Sequence, residues 1–439
     1  LVVDLDQRGT LVAKAHWGRF HQGMFAAFFD RADGADVFSD EQRWHYQGAP
    51  FTDPRTRFTQ AERDQLAAQG QFELVQTISL SETGRVEGYR QPYVDQALIG
   101  LEKTLGDSWK AQALYLRRRN RNMVALVDRN LASNWTEFRD VRLLTRFFTP
   151  IRFEGEDLVL DRMWISNQDI MYWWAIAQSD PTRCSPTRPC VPPGMTPEEL
   201  EALTYDPDYV VTTVPEARRE FDQLQLTLEA RYPNWWAGAS AAISRLEGNF
   251  NAITGPDDYT TGGAGPWVRP NEQLNFEGPL NNQSRLELKI QAGGLLPWGF
   301  RGGAFLTFFE GDRVTPTLAI NPLLMEMSIL EAGGTQPTPF RGYFLNGQAG
   351  HRIFIRSRGA FQYPSRAALD LHLERSLFGR SSELVVTVDA FNLLGGDALT
   401  SIETSVNGLW DAFSGSSPFG ATRGRMAPRA LRLGALYRF

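Results

Sequence analysis

The residue types that carry out catalysis or bind metals are present in this chain, but not at the spacings that such chemistry needs. Its five histidines show no H-E-x-x-H spacing, no G-x-S-x-G segment offers a nucleophilic serine, and no C-x-x-C pair exists to hold zinc. His16 and His372 each lie on the polar side of an alternating segment, where a solvated histidine is expected. We therefore predict no enzymatic activity, no catalytic residue, no bound metal and no cofactor.

The two cysteines, Cys184 and Cys190, close a short proline-rich loop with the sequence TRCSPTRPC. We predict a disulfide between them in an oxidising compartment, and the alternative is a pair of free thiols. Acidic residues at 206–208 and at 257–258 have the oxygen ligands that calcium prefers. Because aspartate is ordinary in turns, we expect turn structure at these two loops, and calcium binding is the alternative.

Charge and hydropathy exclude two classes of protein. The formal net charge of −6 and the pI of about 5.6 give no basic surface, so a nucleic acid is not an expected partner. No stretch reaches the roughly 18 apolar residues that a membrane-spanning helix needs, and the mean hydropathy is −0.33. A membrane-spanning barrel stays open, because its strands alternate between lipid-facing and lumen-facing residues and the average hides the apolar half.

The strongest pattern is a series of segments with period-two hydrophobicity, joined in pairs by very short turns. In Leu286–Ala292, for example, leucine and isoleucine alternate with glutamate, lysine and glutamine. The predicted strands are 10–22, 94–105, 110–120, 224–232, 237–250, 286–292, 300–310, 369–374, 384–390 and 429–439. Residues 1–5 read as the tail of an earlier strand that enters a turn at 6–9. Ten antiparallel strands with short turns at one end predict an all-β transmembrane barrel segment that fills residues 1–439.

Long connections lie at the other end, at about 25–84, 131–218, 251–282, 313–365 and 395–428, and we expect them to be extracellular loops. Helix-start signals at Thr59 and Thr196 indicate local structure within them. The insertion 131–218 contains the cysteine pair and the aromatic residues Trp164, Tyr172, Trp173 and Trp174. We expect this insertion to form a lid over the barrel or to bind a surface partner. A small local core beneath the loop is the alternative.

Aromatic residues cluster near the predicted strand ends, as in the girdles that barrels place at the two membrane surfaces. The girdle candidates are Trp17, Trp109, Tyr232, Trp235, Trp236, Trp298 and Phe378. The alternative is that they are core aromatics of a soluble β protein. The last strand ends on an aromatic residue, and one of its faces is formed by Leu431, Leu433, Ala435, Tyr437 and Phe439. We predict that this face is the signal read by the barrel assembly machinery.

Several segments resemble the C-terminal barrel half of TonB-dependent outer-membrane receptors, in particular the Oar-like group with a carboxypeptidase-regulatory-like domain. They are LVAKAHWGRFHQG, QALIGLEKTLGDSWKAQALYLRRRNRN, EFDQLQLTLEARYPNWWAGASAAISRLEGNF, LNFEGPLNNQSRLELKIQAGGLLPWGFRGGAF, VTVDAFNLLGG and APRALRLGALYRF. They cover about a third of the chain and follow the family's order, and their specificity comes from the succession of hairpins.

This resemblance implies about ten C-terminal strands of a 22-stranded barrel in the bacterial outer membrane. The family's plug, TonB-contacting segment and first strands have no counterpart in this sequence, so we expect it to be a fragment. The alternatives are that the ten strands complete a barrel with another chain, or that they form a ten-stranded barrel by themselves. The implied function is TonB-dependent import of an unidentified ligand, with membrane lipid and the TonB complex as partners. The alternatives are a barrel-anchored surface scaffold that uses its loops for adhesion or assembly, and a secreted soluble β protein.

Overall fold

A computed structural model describes most of the chain, and the statements below concern the residues that it describes. These are 1–21, 41–46, 59–78, 85–145, 150–179, 181–184, 190–192, 194–250, 267–280, 284–320, 325–329, 338–340, 351–377, 383–396, 398–406 and 419–439.

Ten long strands form one antiparallel sheet in which each strand pairs with the next one along the chain. They are β1 (Leu11–His21), β2 (Tyr93–Leu105), β3 (Trp109–Arg121), β4 (Arg219–Arg231), β5 (Trp235–Gly248), β6 (Leu286–Leu295), β7 (Phe300–Phe309), β8 (Arg366–Leu377), β9 (Glu383–Phe391) and β10 (Ala430–Arg438). The short strand Val2–Asp4 pairs with β1 at one edge, and β10 lies at the other. The predicted antiparallel all-β fold is confirmed, with strand ends shifted by a few residues.

Short connections join the strands at one end of this sheet, which we call the turn end, and long connections leave from the opposite loop end. The turn between β2 and β3 shows how closely the strands are held, since Leu105 pairs with Trp109 and Gly106 between them adopts a φ of 62°. Glycine takes this left-handed conformation without a steric penalty. The register of a pair joined in this way is therefore set within a few residues of its turn.

The long connections are folded rather than extended. Their helices are α1 (Gln60–Ala68), α2 (Asn167–Ser179) and α3 (Pro197–Glu201), with 3₁₀ turns at Pro181–Arg183 and Pro270–Gln273. Thr59 and Thr196 form complete capping boxes with Glu62 and Glu199, which confirms both predicted helix starts. A further 3₁₀ turn, Pro297–Gly299, joins β6 to β7.

The described parts of the connections also contain short strands. Their bounds are Glu41–Tyr46, Phe72–Ile78, Arg85–Val86, Val124–Asp128, Trp135–Thr145, Arg152–Phe153, Glu156–Asp157, Val159–Ser166, Tyr209–Thr213, Gly278–Pro279, Arg313–Val314, Thr317–Ile320, Met325–Ile329, Thr338–Phe340, His351–Phe354, Phe361–Gln362, Leu399–Ile402 and Thr422–Arg425. Trp135–Thr145 pairs with both Val159–Ser166 and Met325–Ile329, so that two different connections share one sheet.

The largest buried core belongs to these connections and not to the long sheet. We call it the loop cluster, and it consists of Phe138, Val141, Leu143, Ile151, Phe153, Leu158, Leu160, Met163, Ile165, Ile170, Leu200, Leu274, Leu318, Ile353, Ile355 and Val406. Its members come from four of the five predicted connections, from 131–218 to 395–428. Leu143, Met163 and Ile353 are fully buried there. Within the described residues, no helix has the length and apolar character needed to cross a membrane.

Candidate functional surfaces

One face of the long sheet, which we call the apolar face, carries large hydrophobic side chains that no described residue covers. Directly paired residues of antiparallel strands lie on the same face, so the register identifies this face across the sheet. Leu226 pairs with Ala113 and with Ala241, and Leu433 pairs with Val388. The exposed large residues of this face include Ile99 (63%), Leu101 (51%), Leu226 (44%), Ile290 (47%) and Leu433 (73%). A contiguous exposed apolar surface of this extent indicates contact with lipid or with another molecule.

The opposite face, which we call the polar face, holds cross-strand hydrogen bonds and ion pairs. Glu102 binds Lys14 on β1 and Lys110 on β3, at 2.6 and 2.8 Å. Thr227 and Lys289 follow on the same face, through the pairs Gln112–Thr227, Thr227–Ser240 and Ser240–Lys289. Water is the expected neighbour of such a surface.

His372 on this polar face lies in a network of charges. Its Nδ1 is 2.6 Å from Oδ1 of Asp389, and Nε of Arg432 donates to the other oxygen of the same carboxylate at 2.9 Å. The second ring nitrogen, Nε2, lies 3.6 Å from Oε2 of Glu374, and Arg301 approaches that carboxylate at 3.3 Å. Both nitrogens of His372 thus face carboxylates, an arrangement that cross-links β7 to β10 and presents no nucleophile to the ring.

Aromatic side chains gather at the turn end of the apolar face. Tyr232 stacks on Trp235 with ring centroids 4.6 Å apart, and Nε1 of Trp109 donates to the Tyr232 hydroxyl at 3.0 Å. Trp298, in the turn between β6 and β7, is 83% exposed. Trp17 lies nearer the loop end, paired with Ala97 on the same face. These positions bring four of the predicted girdle residues to the turn end and one toward the loop end.

Two girdle candidates stand apart. Trp236 pairs with Arg231 and with Gly293 on the polar face, because consecutive residues of a strand point to opposite sides. Its ring lies about 3.0 Å from where a Cβ at Gly293 would be. The girdle interpretation therefore does not fit the position of Trp236, which differs from that of its neighbour Trp235. Phe378 lies outside the described residues.

The predicted assembly face of β10 is continuous with the apolar face. Leu431, Leu433, Ala435 and Tyr437 pair with Ala390, Val388, Val386 and Leu384 of β9. Phe439 follows the strand, is fully exposed, and stacks with Tyr437 at a centroid distance of 6.1 Å.

The aromatic residues of the insertion 131–218 divide between the loop cluster and its surface. Trp173 on α2 is buried, while Trp164 and Trp174 pack against the cluster from its edge. Tyr172 is about half exposed. Cys184 and Cys190 form the predicted disulfide, and Cys190 is buried. The insertion thus contributes a local core, which was the alternative reading of these aromatics, and leaves Tyr172 on its outer side.

The acidic loop at 206–208 is held by protein groups. Both oxygens of Asp208 accept hydrogen bonds from Arg85, at 2.6 and 3.1 Å, and its backbone N–H donates to buried Asp128. The pKa of Arg85 is raised by Asp208 and by Glu87, while Arg129 and Arg85 lower the pKa of Glu87. Asp257 and Asp258 lie outside the described residues. In the part of the chain that the structure describes, no group of three or more His, Cys, Asp or Glu side chains could hold a metal ion.

Several charged residues of the apolar face lie between its hydrophobic part and the loop end. The sequence patterns did not single them out. Arg117 and Arg245 flank Asp222, with the Arg117 Nε 3.7 Å from the carboxylate, and Arg245 binds Glu247 at 2.6 Å. In the next row Arg19 binds Asp95 and Arg119 approaches Glu220. Their place on this face could have been predicted from the sequence, because they continue the alternation of Tyr115 and Leu224 toward the ends of their strands.

No protein-family model matches this chain, and no curated protein matches it. Among solved structures, it is similar to the outer membrane transporter YddB from Escherichia coli, with 10% identity and a TM-score of 0.43 over 99% of this chain and 39% of that one. It is also similar to the ferric enterobactin receptor PfeA from Pseudomonas aeruginosa, with 11% identity and a TM-score of 0.41 over 98% of this chain and 38% of that one. The chain spans about two fifths of the length of each of these proteins.

Proposed function

We propose that these ten strands are part of the wall of an outer-membrane β-barrel, with the apolar face against lipid and the polar face toward the lumen. The observation that carries this proposal is the division of the middle of the sheet into two faces, with Ala113, Leu226 and Ala241 in one cross-strand row and Gln112, Thr227 and Ser240 in the next. Uncovered leucine and isoleucine side chains on β2, β4, β6 and β10 would be costly in water, because each buried aliphatic side chain gains about 2 kcal/mol. The strand lengths of 9 to 14 residues suit a tilted crossing of the hydrocarbon layer.

The aromatic residues on the apolar face support the same orientation. Trp109, Tyr232, Trp235 and Trp298 would lie at the membrane surface near the short turns, and Trp17 near the opposite surface. The long connections and their loop cluster would then face the cell exterior. The apolar face of β10, with Phe439 after it, would be the part that the barrel assembly machinery recognises.

Paired substitutions on β4 test the orientation. Leu226→Arg places a charge on the apolar face near mid-strand, where contact with lipid would make it cost about 2–4 kcal/mol. Thr227→Arg places the same charge on the polar face, one residue away, and serves as the matched control. We expect Leu226→Arg alone to reduce the folded, heat-modifiable protein recovered from outer membranes. Equal recovery of the two variants, or extraction of the protein without detergent, would remove the basis for the barrel.

We further propose that the complete protein works as a TonB-dependent receptor that imports an unidentified ligand and is not an enzyme. The order of the hairpins and their resemblance to that family support this step. The insertion 131–218 would contribute, through the outer side of α2, a lid or a partner-binding surface above the barrel.

Binding to TonB tests the receptor proposal separately from the membrane proposal. The full-length protein, purified in detergent, is passed over an immobilised periplasmic domain of TonB. The same protein without the TonB-contacting segment that the resemblance implies serves as the control. We expect saturable binding that the truncation abolishes. A folded outer-membrane barrel that shows no such binding would instead favour a surface scaffold.

A further inference from the structure

A concavity of about 480 Å³ opens on the apolar face where its hydrophobic part meets the charged rows of the loop end. Its hydrophobic wall is formed by Tyr115, Leu224 and Ile243, which are direct neighbours on β3, β4 and β5. Its charged wall contains Asp222, Arg245, Glu247, Arg285 and Arg313. One site thus combines an aliphatic and aromatic surface with three guanidinium groups.

The cations of this region are more accessible than the carboxylates beside them. The side chain of Arg245 is 71% exposed against 37% for Glu247, and that of Arg117 is 42% exposed against 32% for Asp222. Asp222 also accepts a hydrogen bond from the Tyr115 hydroxyl at 2.5 Å, which offsets part of its charge. Arg245, although it binds Glu247, is therefore more accessible to a ligand than the two carboxylates of the concavity.

We propose that this concavity binds the phosphate-bearing headgroup of a membrane lipid from the leaflet nearer the loops. The phosphate would contact Arg245 and Arg285, because guanidinium groups bind phosphate oxygens through paired N–H donors. The first part of an acyl chain would lie along Leu224 and Ile243. This proposal rests on the proposed function, since it requires the apolar face to contact lipid.

The position of the site favours a lipid over free phosphate. Rows of exposed hydrophobic residues continue from Ile243 and Leu224 toward the turn end, so an acyl chain leaving the concavity would stay on an apolar surface. Arg245 lies toward the loop end of β5 and Arg285 directly before β6, at the level expected for headgroups. Inorganic phosphate would use only the charged wall.

Native mass spectrometry of the full-length protein in detergent tests the site. Phosphatidylglycerol and phosphatidylcholine with identical acyl chains are titrated into the unaltered protein and into the double variant Arg245→Gln/Arg285→Gln. We expect tighter binding of phosphatidylglycerol, and an affinity loss of about fivefold per arginine removed. Arg231→Gln, which removes a highly exposed arginine of the polar face, is the matched control and should leave lipid binding unchanged.

Three outcomes would overturn the proposal. They are equal affinity for the two lipids, unchanged affinity in the double variant, and displacement of phosphatidylglycerol by inorganic phosphate at equal concentration, which would indicate an anion site without a role for the acyl chain. A heat-dependent shift in gel mobility confirms that each variant is folded before it is compared. The paired substitutions Leu226→Arg and Thr227→Arg test independently whether the apolar face contacts lipid at all.

Discussion

Single residues in the connections fix the loop hairpins through charge-assisted hydrogen bonds. Glu403 accepts from the backbone N–H of Ser405 at 2.9 Å and from the guanidinium of Arg423. The second bond joins the end of the strand Leu399–Ile402 to the strand Thr422–Arg425. The Ser405 N–H and then Arg423 hold the pKa of Glu403 below its usual range. Because Thr404 and Val406 in turn bond to Thr317, this carboxylate fixes the edge of the loop cluster.

We expect Glu403→Gln to weaken this hairpin by about 1 kcal/mol at neutral pH, since the partly exposed ion pair becomes a neutral hydrogen bond. A carboxylate whose pKa is lowered on folding stabilises the fold fully above its unfolded value of about 4.3 and loses that contribution as the pH falls through the folded value. The unaltered hairpin should therefore loosen in acid, and the variant should show little of this change. Amide exchange of 398–406 and 419–425, corrected for intrinsic rates, measures it.

Glu201→Gln, at the exposed end of α3, is the control for this experiment and should behave like the unaltered protein. The same acid dependence in the Glu403 variant as in the unaltered protein would show that another group is responsible.

At the scale of elements, the long strands could be predicted from sequence because apolar residues form one face of each strand and polar residues form the other. Leu224, Leu226 and Leu228 alternate with polar residues, and tight turns set the pairing. The strands of the loop cluster lack that regularity. Asp161 is not paired with Asp140, which has a φ of 52°, so that the alternation of Val159–Ser166 is interrupted. The local pattern therefore predicted a loop where the structure has a strand.

The shared core of the connections could not be predicted from local sequence patterns, for a different reason. Met163 and Ile353 meet in the same cluster although almost two hundred residues separate them in sequence. The hydrophobic periodicity of a single segment carries no information about such a contact. The opposite placement of Trp235 and Trp236, by contrast, follows from strand alternation alone, and a strict application of that rule would have assigned only Trp235 to the girdle.

At the scale of the whole molecule, the chain consists of a long sheet and a loop cluster with different sources of stability. The sheet has little buried apolar volume of its own, and its outer leucines depend on the surroundings that we propose. The loop cluster has its own core and should remain folded through its own packing. Asn271, which is almost completely buried, joins two segments that carry this core. Its side chain accepts from the Trp164 N–H at 2.8 Å and donates to the Trp164 carbonyl at 2.7 Å.

Removal of this amide tests whether the two parts are independent. Asn271→Ala leaves both backbone groups of Trp164 without that partner, and we expect a cost of about 2–4 kcal/mol to the loop cluster. Amide exchange should quicken in Trp135–Thr145 and Val159–Ser166 and stay unchanged in β4 and β5, because few contacts of the cluster reach mid-strand. Asn234→Ala, in the turn between β4 and β5, is the control and should leave the loop cluster protected. Loss of protection in β4 and β5 together with the loop strands would show that the sheet and the cluster unfold as one cooperative unit.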